Sequence, residues 1–159
     1  MKEIDKKLIE TISRYTASGI DQQVDYEKFY LYSLITHSTA IEGSTVTEVE
    51  NQLLFDEGIA AKGRSLNEQM MNVDLKNAYL YGFEWAKTGQ PYSVELLCEL
   101  SAKVMRRTGS EYSTMGGSFD SSKGELRRCN VSAGIGGRSY LAFQKIPKAT
   151  ADFCDWLNG

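Results

Sequence analysis

The sequence predicts a mainly α-helical fold with one short β-hairpin. Two observations carry that prediction: capping signatures that recur through the first 107 residues with apolar residues at helical spacing behind them, and an alternating stretch around Gly136-Gly137.

The helical region spans residues 1–107. Ile4, Leu8, Ile12 and Tyr15 repeat at helical spacing until Ala17-Ser18-Gly19 stops them. A second helix is predicted from near Asp21, carrying Val24, Phe29, Leu31, Leu34, Ile35 and Ile41 and ending at Gly43. Thr45-Val46-Thr47-Glu48 fits a capping box and opens a helix bearing Val46, Val49, Leu53 and Leu54, which Gly58 closes. Ser65-Leu66-Asn67-Glu68 repeats the signature and opens a long helix to about Lys87. Its apolar residues fall on two faces, Leu66, Met70, Val73 and Leu80 on one and Met71, Leu75, Ala78 and Trp85 on the other, as in the central helix of a bundle. Ser93 caps the next helix, lined by Leu96, Leu97, Leu100 and Val104, with Arg106 and Arg107 suited to its negative end.

Residues 108–159 differ in character. The Ser-, Thr- and Gly-rich stretch 108–124 predicts a long surface loop. Val131, Ala133 and Ile135 alternate before Gly136-Gly137, and Tyr140 and Ala142 return, so 129–143 is the predicted hairpin. Pro147 opens a last helix with Ala151, Cys154 and Leu157 on one side.

Composition narrows the function. The 159 residues carry 18 Lys+Arg against 21 Asp+Glu, a net charge of −3 that argues against direct nucleic-acid binding. Cys98, Cys129 and Cys154 fit neither a disulfide framework nor a zinc pattern, which favours a reducing, cytoplasmic setting. Acids near the N-terminus argue against a signal peptide, and no apolar run is long enough for a membrane span. Gly134-Ile135-Gly136-Gly137 opens no helix and so fails as a dinucleotide loop. His37 is a candidate general base, or a packing residue near a helix end. Glu42 in a last helical turn meets the negative end of the macrodipole, unfavourable by about 0.3–1 kcal/mol. A local rule broken without visible compensation marks either a candidate site or an exposed Glu that simply tolerates the cost, and Ser38 four residues earlier shares its face.

The string Ser38-Thr39-Ala40-Ile41-Glu42-Gly43 resembles the inhibitory motif (S/T)-x-x-x-E-(G/N) of Fic-domain (Fic/Doc, Fido) proteins. Ser44 to Val49 is similar to the N-T-L-T-x-x-E continuation, and Gly124 to Tyr140 to the G-x-(Y/F)-R element and flap hairpin. Ile146-Pro147 and Asp155-Trp156-Leu157-Asn158 resemble the following V-P-x-x-M and W-L-N stretches, so the likeness covers about residues 20–159 in order.

The resemblance implies a helical Fic-like bundle with a flap, belonging to an autoinhibited nucleotidyltransferase that moves AMP from ATP to a Ser, Thr or Tyr hydroxyl (AMPylation). Ser38, Glu42 and Gly43 would be inhibitory, and Val131, Ile135, Gly136, Gly137 and Tyr140 would dock the target. The family's H-P-F-x-(D/E)-G-N-G-(R/K)-x-x-R signature follows W-L-N and does not occur in these 159 residues. The resemblance thus implies the N-terminal regulatory and flap portion, truncated before the catalytic motif, with no catalytic residue or metal ligand of its own. ATP and Mg²⁺ belong to the complete protein and are not expected on this chain alone. Expected partners are a target protein, a C-terminal Fic segment and a second copy of the chain, with no membrane. The alternative is a non-catalytic, antitoxin-like helical regulatory module.

Overall fold

The longest helix sits at the centre because its buried residues face neighbours on two sides. The computed structural model describes residues 3–159 except residues 24 and 135, and of residue 21 the backbone alone. Among these, six α-helices run in order: α1 (Glu3–Ala17), α2 (Tyr26–Ile41), α3 (Glu48–Asp56), α4 (Leu66–Thr88), α5 (Val94–Val104) and α6 (Ile146–Asn158). Strands β1 (Glu111–Thr114) and β2 (Gly117–Asp120) lie between α5 and α6. Helix α4 packs against α2 and α5, α3 against α2, and α6 against α5. The mainly α fold with one two-stranded hairpin is the predicted class, and no helix of the described residues is long and apolar enough to cross a membrane.

Several boundaries move, each for a local hydrogen-bonding reason. Helix α2 starts at Tyr26, not near Asp21, because the Asp25 carboxylate accepts from the Lys28 amide at 3.0 Å; residues 20–22 form a separate 3₁₀ turn. Residue 24, counted with this helix in the sequence, lies outside the described residues. The cap of α3 is Thr47, not Thr45: Glu50 Oε2 accepts from the Thr47 amide at 2.8 Å, and the Thr47 hydroxyl accepts from the Glu50 amide. Thr45 is held elsewhere, its amide and hydroxyl both donating to Glu68 Oε1 at 2.8 and 2.7 Å. Ser65 caps α4 as predicted.

The interior of α4 corrects the two-apolar-face picture. Its buried residues are Gln69, Asn72, Asp74 and Ala78, while Leu66 and Leu80 are exposed. Three of the four are polar, and each has a chain segment to hold. Gln69 Oε1 accepts from the Ala61 amide at 2.8 Å. Asp74 accepts from the Arg107 amide at 2.7 Å and its guanidinium at 2.5 Å, so Arg107 serves a buried carboxylate rather than the end of α5.

The strands stand where a loop is predicted. Tyr112 pairs with Phe119, their rings stacked 5.0 Å apart, around a turn at Met115-Gly116. The expected hairpin at 129–143 carries a single bridge, Ser132 to Ser139, instead of two strands. Positive φ falls at Gly134 and Gly136 rather than on the Gly136-Gly137 pair, and the Ala133 amide donates to Arg138 across a four-residue loop. That loop is longer than the two-residue turn that continues a ladder.

Glu68 makes one stability prediction. Hydrogen bonds from Ser65 and Thr45 hold its carboxyl down at about 2, below the usual 4.5. A depressed carboxyl contributes stability that is present above its unfolded value and lost as pH falls toward the folded one. Denaturant midpoints should therefore drop between about pH 4.5 and 2, and Glu68→Gln should flatten that drop. Ser65→Ala should lower stability by about 1 kcal/mol at neutral pH through cap loss.

Candidate functional site

Helix α2 ends in a tightly specified turn. The Gly43 amide donates to the Ala40 carbonyl at 3.0 Å and the Ser44 amide to the Thr39 carbonyl at 3.0 Å, a Schellman closure. Gly43 takes φ 94°, a conformation that disfavours any side chain although open space surrounds its Cα. Glycine here is a backbone requirement.

The turn sorts its side chains sharply. Thr39 and Ser44 are buried, whereas Ile41 is 84% exposed and Glu42 also faces solvent. Ser38 is half-buried one turn before Glu42. Among the described residues, the Glu42 carboxylate meets no hydrogen-bond donor and no cation, and the last turn of α2 contains no basic residue. His37 is exposed, with Nε2 3.3 Å from Glu48 Oε1.

Beneath the turn lies a polar cluster that helical spacing does not reveal. Asn72 donates from Nδ2 to Ser44 Oγ at 3.1 Å and to the Glu68 carbonyl at 2.8 Å. Its Oδ1 lies 2.8 Å from both the Thr39 hydroxyl and Asn51 Nδ2. Asn51 also donates to Thr36 Oγ1 at 2.8 Å, which leaves its buried Oδ1 without a partner. The detectable signal is a polar residue, Asn72, where the face of α4 should be apolar.

The second predicted element, 129–142, is a closed excursion. Arg127 spans its legs, donating from Nη1 to the Cys129 carbonyl and from Nη2 to the Leu141 carbonyl at 2.6 Å. The Phe143 amide donates to Asn130 Oδ1 at 3.1 Å and closes the base. Val131 and Tyr140 are exposed, and the Tyr140 amide donates to the Val131 carbonyl at 3.0 Å. Gly136 and Gly137 form its tip, and residue 135 lies outside the described residues. No hydrogen bond or ion pair among the described residues joins this excursion to Ser38, Glu42 or Gly43.

The donor set does not suit a metal. Among the described residues no group of three or more His, Cys, Asp or Glu could hold an ion. Cys98, Cys129 and Cys154 are free thiols. What the α2 tip offers chemically is one unpaired carboxylate on a fixed turn, an acceptor for a cationic group.

No family model matches the chain. It is similar to the protein adenylyltransferase fic-1 of Caenorhabditis briggsae, 22% identical over 164 aligned positions that cover 98% of this chain. The chain spans about 30% of that relative's length. The similarity supports a distant Fic-like relationship.

Two expectations follow from the geometry. Gly43→Ala should destabilise by roughly 1–2 kcal/mol in urea melts, the strain of a left-handed non-glycine residue, while Glu42→Ala should be slightly more stable than the parent because it clears a carboxylate from the negative helix end. Arg127→Met should raise proteolytic cutting within 129–142 by about tenfold or more, because a charge-assisted hydrogen bond contributes roughly 1.5–3 kcal/mol.

Proposed function

We propose that residues 1–159 are the regulatory and flap portion of a Fic-type protein adenylyltransferase, with Glu42 as its inhibitory carboxylate. The observation that carries the reading is the α2 tip: an exposed, unpartnered acid on a turn whose neighbours are pinned underneath. The S-T-A-I-E-G spelling and the similarity to the worm adenylyltransferase support it.

In this reading Glu42 occupies an arginine that otherwise takes the γ-phosphate of ATP, so carboxylate and nucleotide compete for one cation. Ser38 supports the position of the helix. ATP is the AMP donor of the whole protein and Mg²⁺ its metal, and the groups that hold them come from other residues than those described. The exposed aromatic pair Phe153 and Trp156 on α6, stacked 5.9 Å apart, is the surface proposed for that further segment. The excursion at Val131–Tyr140 offers backbone groups to an extended target segment.

The test is Glu42→Gly in the full-length protein, incubated with labelled ATP and Mg²⁺. Auto-modification should rise about tenfold or more, the factor expected when a charge-assisted contact is removed from the competing state. Equal labelling of both proteins across a Mg-ATP titration would remove the inhibitory role. Labelling of neither would favour a non-catalytic helical regulatory module.

A further inference from the structure

The orientation of the Glu42 turn is set by a buried amide rather than by apolar packing. Among the described residues, five side chains are essentially inaccessible to solvent, Ile35, Asn51, Asn72, Thr39 and Asp74, and four of them are polar. Three of those four belong to one network, and Asn72 is its hub.

An asparagine side chain has two N–H donors and an oxygen with two lone pairs. At Asn72 all four positions are used, and they reach three separate segments besides its own helix. Thr39 belongs to the last turns of α2, Ser44 to the residue just past the Schellman closure, and Asn51 to α3. Glu42 lies between the first two. The donor to the Glu68 carbonyl fixes which way the amide faces, so Oδ1 must accept and Asn51 must donate. The unpartnered oxygen therefore falls at Asn51, the far end of the network, and not beneath the turn.

We infer that Asn72 is a positioning residue for Glu42. It grips Thr39 before the acid and Ser44 after it, and so fixes the direction in which the carboxylate leaves α2. A leucine has the same branched outline, although it is bulkier, and would fill the space without that direction, because apolar burial is not directional. The effect on activity rests on the inhibitory role proposed for Glu42; the effect on the turn does not.

The experiment compares Asn72→Leu and the milder Ser44→Ala with Glu42→Gly in the full-length protein, by amide hydrogen exchange and by labelling with ATP. In the first two variants the Glu42, Gly43 and Ser44 amides should exchange about tenfold faster while the α5 amides keep the parent rate. Labelling should rise in both, and adding either change to Glu42→Gly should raise it no further than Glu42→Gly alone, since Asn72 and Ser44 act through that carboxylate. Parent-like exchange of the three amides in both variants would overturn the inference, as would acceleration spread equally through α4 and α5. If Glu42→Gly leaves labelling unchanged, the inhibitory reading fails, and the exchange of the three amides still decides whether Asn72 sets the turn.

Discussion

Between residues 68 and 74, α4 holds several connecting segments of the fold through side-chain hydrogen bonds. Glu68 ties Thr45 to Ser65, Gln69 holds the Ala61 amide, Asn72 joins α2 to α3, and Asp74 fastens Arg107. These contacts fix the paths of the segments that enter and leave the neighbouring helices. Apolar burial supplies attraction between helices but cannot choose among the directions in which a connecting turn points. Directional bonds in a low-dielectric interior can, provided nearly every member is satisfied.

This design explains what was legible in the sequence. Helices were visible because caps and stops are local: Ser65 with Glu68, Ser93, Pro147 and the helix-ending glycines act within one turn. Thr45 and Thr47 are equally good cap candidates for α3 in the sequence; Thr47 takes the cap with Glu50, while Thr45 is bound to the distant Glu68. The sequence makes α4 look apolar on two faces because helical periodicity counts hydrophobic residues. Its buried line of Gln69, Asn72 and Asp74 interrupts that count.

The two hairpin-like regions failed for the opposite reason. In 111–120 the alternation is carried by Tyr112 and Phe119 among Ser, Thr and Gly, too sparse to stand out from a loop. In 129–142 the alternation is clear, but the glycines spread the turn over four residues and leave one bridge. The S-T-A-I-E-G spelling marked the exposed tip of α2, where the acid does stand free. The local pattern marks Asn72 only as a polar residue on an apolar face and does not mark Asn51; their roles arise from contacts 15 to 33 residues away in the chain.

The free state of Glu42 is electrostatically uncomfortable in a way that suits the role proposed for it. Its carboxylate stands at the helix end that carries partial negative charge, and no basic side chain in the last turn relieves it. A guanidinium brought to this tip meets the carboxylate and also lies near the unfavourable dipole end, which favours a cation by about 0.3–1 kcal/mol. A neutral or anionic group arriving there gains neither. The turn matters as well, because its backbone hydrogen bonds set where the Cα–Cβ bond of Glu42 points, while the exposed side chain beyond it gives up rotamer freedom on pairing. Charge makes the tip selective for a cation, and the hydrogen bonds beneath it, through Ser44 and Thr39, make that selectivity directional.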